Sequence, residues 1–180
     1  MAIHRSRAKS RARRAKAPAV ALLIVLVADL VQYWTHRAYH EVPLLWRLHA
    51  VHHSVKSMDW LAGSRQHIVE LLITRTLVLA PIYVLGFSKE VIDAYIVIVG
   101  FQAVFNHANV SVRLGPLRYV IVTPNFHHWH HSQDDEAIDK NYVAHLPVID
   151  WLFGTFYMPK GRQPADFGVS DPVPVGSFVP

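Results

Sequence analysis

The sequence predicts an all-α protein, a membrane-embedded helical bundle with a histidine-rich di-metal site at one membrane face. Hydrophobic residues make up 52% of the 180-residue chain and charged residues 17%, with a mean hydropathy of +0.19, too apolar for an ordinary solvated surface or a disordered chain. Three segments are long and almost continuously apolar, at residues 17–34, 68–87 and 91–105. The 13 histidines gather mostly in clumps between and after those segments. Cysteine is absent, which excludes disulfides, thiolate metal sites, iron–sulfur clusters and cysteine nucleophiles.

Taken in order, residues 1–16 form a basic arm with seven Lys/Arg and no acid. The other 164 residues carry 11 basic and 13 acidic side chains, so the net charge of +5 belongs to the arm. The arm has no aromatic residue to stack on bases; no nucleic-acid partner is expected, and anionic headgroups or a topology signal suit it better. Residues 17–160 read as one domain. Its first helix, 17–34, is apolar except for Asp29 and Gln32 and delivers His36 and His40 at its C-terminal end. Asp29 reads either as a packing contact or as an outer partner of the histidines, the second slightly preferred. Segments 68–87 and 91–105 can embed if charged residues such as Glu70 and Asp93 face a protein interior or an end. They form a hairpin across Gly86-Phe87-Ser88-Lys89. A hairpin returns the chain to its starting side, so His67 and His107 share one membrane face with His36 and His40. Trp34, Tyr39, Trp46, Trp60 and Trp129 flank the polar stretches 36–66 and 124–145, as aromatics do at a membrane interface. Residues 161–180, with Pro164, Pro172, Pro174 and Pro180, read as a Pro-rich tail, an irregular strap or a disordered end.

Three histidine clusters carry the chemistry. His36 and His40 stand at i, i+4 on one helix face. His49, His52 and His53 converge at i, i+3 and i+4, and His127, His130 and His131 repeat that pattern around His128 and Trp129. His107 stands alone at a helix end, while His4 and His145 read as surface or turn residues. Neutral imidazole ligates iron, zinc, copper and nickel, and one metal takes four to six ligands, so nine clustered histidines suit two metals better than one. Other sites are excluded: Leu44 occupies the last position of H-E-x-x-H after His40-Glu41, no Gly-x-Ser-x-Gly or Gly-x-Gly occurs, and neither Glu70 nor Glu90 begins a Glu-x-x-His pair.

These motifs resemble the fatty acid hydroxylase/sterol desaturase superfamily of membrane di-iron enzymes over roughly residues 28–160. The resemblance rests on Asp29…Tyr33…His36-Arg37…His40, on Leu45-Trp46-Arg47-x-His49-x-x-His52-His53-Ser54 and on Arg65-x-His67-x-x-Glu70. It continues in Pro124-x-Phe126-His127-His128-Trp129-His130-His131-Ser132, Asp139-Lys140-Asn141-Tyr142 and Asp150-Trp151-Leu152-Phe153-Gly154-Thr155. Val143 stands where members often have Gly, and Ser111 where some have a further His. The resemblance implies that His36, His40, His49, His52, His53, His107, His127, His130 and His131 ligate two irons, with zinc a possible substitute. It makes His128 and His67 a further ligand or an outer partner holding a ligand's ring, and gives Asp139 and Asn141 a supporting role.

The same resemblance implies an O2-dependent oxidoreductase that hydroxylates or desaturates a lipid such as a sterol or fatty acyl chain. No flavin or nicotinamide motif is present, so electrons are expected from a separate donor of cytochrome b5, ferredoxin or reductase type. An integral membrane location with the histidine face cytoplasmic is expected, although the basic arm at the other end of an odd number of helices opposes the positive-inside rule. The alternatives are a membrane protein that binds zinc or nickel without oxygenase chemistry and a bis-histidine haem carrier.

Overall fold

The computed structural model describes residues 2–169 except 113, and the side chains of 18–169 with the same exception. The tail beyond residue 169 and the side chains of the basic arm, His4 among them, lie outside the described residues. Six α-helices follow in order: α1 (Ala2–Glu41), α2 (Pro43–His53), α3 (Ile68–Val84), α4 (Lys89–His107), α5 (Pro124–His130) and α6 (Pro147–Leu152). Among the described residues no strand forms beyond one isolated bridge between Ser132 and Phe167.

The first helix runs seven residues past the expected end at residue 34, so His36 and His40 are helical. It stops because Pro43 disfavours helical backbone in the residue before it, and Val42 is extended (φ −102, ψ 114). Pro43 then sits in the first turn of α2, where a missing N–H costs nothing. This corner brings α2 against α1, and with it His49, His52 and His53 toward His36 and His40. Helices α3 and α4 form the expected hairpin, turning at Gly86 in the left-handed region (φ 75). All seven residues of α5 are buried, and the Thr123 side chain caps its start by accepting from Phe126 N.

Ile24 and Ala28 of α1, Val78 and Ile82 of α3 and Tyr95 of α4 fill the stem between the long helices. A second core of Tyr33, Val122, Phe126, Tyr142, Val143 and Ile149 packs the connecting segments beneath the histidines. Tyr39 and Trp129 belong to this interior and not to a membrane interface, whereas Trp34 and Trp60 are exposed. Helix α1 is long and apolar enough to cross a membrane over Pro18–Glu41, the one such helix among the described residues. Helices α3 and α4, with 17 and 19 residues, are shorter, yet they turn apolar side chains outward, Val84 at 81% and Phe101 at 75% exposure. Exposed apolar surface of this kind needs a lipid or protein neighbour.

The described part of the tail is a strap. Gln133 N donates to Asp166 O (3.1 Å), and Phe167 packs over Val55, Met58 and Ala62 and against the His128 ring.

Candidate metal centre

The nine clustered histidines come together in two groups. His36, His40, His49, His53 and His130 form one, and His52, His107, His127 and His131 the other. Within each group one nitrogen per ring lies within 4.8 Å of all the rest. Helical geometry decides the partition. Residues four apart face the same way, so His36/His40, His49/His53 and His127/His131 each stay within one group. Adjacent residues point about 100° apart, so the doublets His52-His53 and His130-His131 straddle the two groups.

The outer nitrogens fix where the inner lone pairs point. His36 Nδ1 donates to Tyr142 O (2.6 Å), His130 Nδ1 to Lys140 O (2.8 Å), His52 Nδ1 to Arg65 O (3.1 Å) and His107 Nδ1 to Ala103 O (2.7 Å). A carbonyl oxygen only accepts, so each of these rings carries its proton on Nδ1 and leaves Nε2 as a bare lone pair. Yet Nε2 atoms meet: His36 and His49 at 2.9 Å, His53 and His130 at 3.0 Å, His107 and His127 at 3.0 Å, His52 and His107 at 3.3 Å. Where both atoms are lone-pair acceptors, as in His52 with His107, the approach cannot be a hydrogen bond and is repulsive without a cation between them. His40 Nε2 is buried with no partner. Five and four imidazoles converging in this way fit two metal ions, with iron or zinc both suited to nitrogen donors.

The larger group is braced on one side by a single short segment. Asp139 Oδ1 takes His40 Nδ1 (3.2 Å), Lys140 O takes His130 and Tyr142 O takes His36. Asp139 and Asn141 both have positive φ (57 and 60), a twist that Asp and Asn tolerate and that aims the Lys140 carbonyl inward. The fully buried Asn141 side chain locks the segment, donating to Phe126 O and Tyr157 O and accepting from Tyr157 N. Asp150 accepts from Tyr142 N and Val143 N, the residue at the position where Gly is common. Asp29 is not an outer partner of the histidines; it accepts from the backbone of Ala144, His145 and Leu146 and so holds the same segment one step removed. His145, expected at a surface or turn, is buried against Asp29 (3.2 Å).

Glu70 was the partner that sequence reasoning missed: buried on α3, its Oε1 takes His49 Nδ1 at 2.8 Å. An acid inside an apolar helix was the available signal. His67 stands outside both groups and caps α3 by accepting from Val69 N. His128 also stands outside them, buried under Phe167. Gly63 leaves room for the smaller group, since a Cβ there would meet His107 Nδ1 at 2.8 Å.

Burial holds the imidazoles of His49, His52, His53, His127, His130 and His131 well below the ordinary histidine range, and the neighbouring rings add to it. They are neutral and able to ligate at physiological pH. The His40 hydrogen bond pulls the Asp139 carboxyl down. A cavity of about 110 Å³ touches both groups through His36, His49, His52, His107 and His127 and opens between α1, α3 and α4. A separate opening of about 420 Å³ meets His40, His53 and His130 from the other side, beside Trp46 and Asp139.

The fatty acid hydroxylase family model matches residues 21–155, three quarters of the chain and the whole of this centre. The chain belongs to the fatty acid hydroxylase family. Its relatives include ornithine lipid hydroxylase OlsE of Rhizobium tropici, 34% identical over 86% of this chain and 47% of that protein. Human alkylglycerol monooxygenase is 31% identical over 82% of this chain and 32% of its own length. Very-long-chain aldehyde decarbonylase GL1-4 of Oryza sativa is 28% identical over 71% and 22%. The chain thus spans about half or less of the curated relatives it matches. No solved structure matches it.

Proposed function

We propose that this family member is a membrane-bound, O2-dependent lipid hydroxylase whose nine clustered histidines hold two iron ions. The observation that carries the reading is the set of carbonyl-anchored Nδ1 atoms that turn bare Nε2 lone pairs toward two common points. Iron bound there would supply the activation of O2 and the attack on an unactivated C–H bond. The protein's own part is to hold rings by Glu70, Asp139 and the carbonyls, to keep His49, His52, His53, His127, His130 and His131 neutral by burial, and to present a substrate carbon in the cavity that touches both groups. The relatives' names, a lipid hydroxylase and an alkylglycerol monooxygenase, support a lipid substrate.

We read α1, α3 and α4 as the membrane-embedded stem, so that the lipid enters between them while electrons arrive at the opening beside Trp46 from a separate cytochrome b5-, ferredoxin- or reductase-type donor on the cytoplasmic side. A haem carrier fits poorly, because four or five converging imidazoles leave no flat slot for a macrocycle. Zinc sequestration has one observation in its favour, since four imidazoles match the donor number of a closed zinc site. The test is metal identity and stoichiometry on detergent-purified protein expressed with excess iron and kept anaerobic. About two irons per chain, lost in part in His130→Ala, together with O2 uptake driven by a chemical reductant and a lipid, supports the reading. Zinc alone under iron supply, without O2 uptake, refutes it.

A further inference from the structure

We propose that Arg75 binds the anionic oxygen group of an amphiphilic lipid, a carboxylate or a phosphate, in the cavity beneath the histidine groups. Arg75 lies seven residues into α3, about 10 Å from its histidine end at 1.5 Å per residue. Its neighbours Leu72 and Leu77 face outward as exposed apolar side chains. A guanidinium at that depth is costly and marks a functional position unless it is paired. Among the described residues Arg75 forms no hydrogen bond or ion pair, yet it lines the cavity that touches both histidine groups. Gln32 and Gln66 line the same cavity, and their amides also have no hydrogen-bond partner among the described residues. A planar guanidinium matches carboxylate or phosphate oxygens, and the amides add donors.

Arg75 also gives this site a direction. An anion held there, about 10 Å from the histidine end of α3, leaves the alkyl chain to face the histidines that line the same cavity. The carbon presented then lies close to the headgroup and not at the chain terminus. That regiochemistry rests on the hydroxylase reading; the binding preference does not.

The experiment is equilibrium binding of dodecanoate, dodecyl phosphate and dodecanol to the full-length protein in a nonionic detergent. The expected result is that one or both anions bind wild type at least tenfold tighter than dodecanol, and which anion wins distinguishes carboxylate from phosphate. Arg75→Gln should bring the anions to the level of dodecanol, Arg75→Lys should retain part of the preference, and Lys89→Gln at the distant α3–α4 turn should retain all of it. His130→Ala should lose metal and keep the preference, so failure of the hydroxylase reading and failure of this one are told apart. If Arg75→Gln does not fold, judged by helicity, Gln32→Leu takes its place and should weaken the anions selectively. Equal binding of all three amphiphiles by wild type, or an anion preference that survives Arg75→Gln, overturns the proposal.

Discussion

Replacing Glu70 should weaken one metal group and spare the other. Glu70 Oε1 touches only His49, at 2.8 Å, and both residues are almost fully buried. A cation on His49 favours the ionised Glu70 carboxyl, so Glu70→Gln, which keeps an oxygen able to accept but removes that charge, replaces a charge-assisted hydrogen bond by a neutral one roughly half as strong. The difference is on the order of 1.4 kcal/mol, or about tenfold in affinity for the metal held by the five-histidine group. Glu70→Leu leaves the His49 Nδ1–H bare in a site closed to water, which costs up to about 3 kcal/mol and approaches a hundredfold loss, the upper range for outer partners of metal ligands. Chelator competition resolved into two sites measures this directly. The four-histidine group should hold its affinity within about twofold, since none of its rings touches Glu70 and its His52 and His107 are anchored by Arg65 O and Ala103 O. If both affinities fall together, Glu70 acts on the fold and not on His49; if neither falls, the His49 anchor is irrelevant and the argument fails.

The partition itself is testable: His130→Ala should strip the five-histidine metal and His52→Ala the four-histidine metal, read as one metal remaining per chain in each; loss of both in either variant would show one merged site. Asp29→Ala leaves three backbone N–H groups and His145 Nδ1 without their acceptor, so it should cost on the order of 3 kcal/mol in thermal or denaturant unfolding in detergent. The same variant should loosen the five-histidine metal through Tyr142, and an unchanged stability would refute its bracing role. The metal-free protein should lose stability as pH falls below about 6.5, because burial holds six imidazoles below their unfolded value and the unfolded chain then binds the extra protons. That stability is present above pH 6.5 and is lost at up to about 1.4 kcal/mol per pH unit for each group; a flat Tm from pH 7.5 to 5.5 contradicts it. With no native cysteine, single substitutions report topology cleanly. Asp135→Cys, on the histidine side, should react with a membrane-impermeant thiol reagent only from the cytoplasmic face and Ser88→Cys, in the α3–α4 turn, only from the opposite one. The reverse pattern would place the histidines outside and favour the arm's charge as the orienting signal.

Much of this centre was legible along the chain because helical spacing is local. The i, i+4 pairs His36/His40, His49/His53 and His127/His131 already share a helix face in the sequence, and the 68–107 hairpin already returns His107 to the side of His67. Eight of the nine ring positions, all but His107, could be grouped in a pair or a triple by helical spacing alone, and all nine lie in the two groups. What the sequence could not state was which of the two groups each member of a histidine doublet joins. That depends on the 100° step between neighbours and on where the facing helix lies, a relation between distant segments, 77 residues apart for His53 and His130. The anchors were hidden for a second reason. Four of them are backbone carbonyls, at Arg65, Ala103, Lys140 and Tyr142, and a carbonyl is present at every residue, so composition carries no trace of its selection. His145 and Asp29 show the same limit, each an ordinary polar residue until the fold removes both from water and leaves them each other and the 144–146 backbone as partners. The sequence by itself determined the helices, their apolar faces and the donor chemistry; tertiary packing alone decided which nitrogens meet, because hydrogen-bond direction and burial exist only once distant segments are brought together.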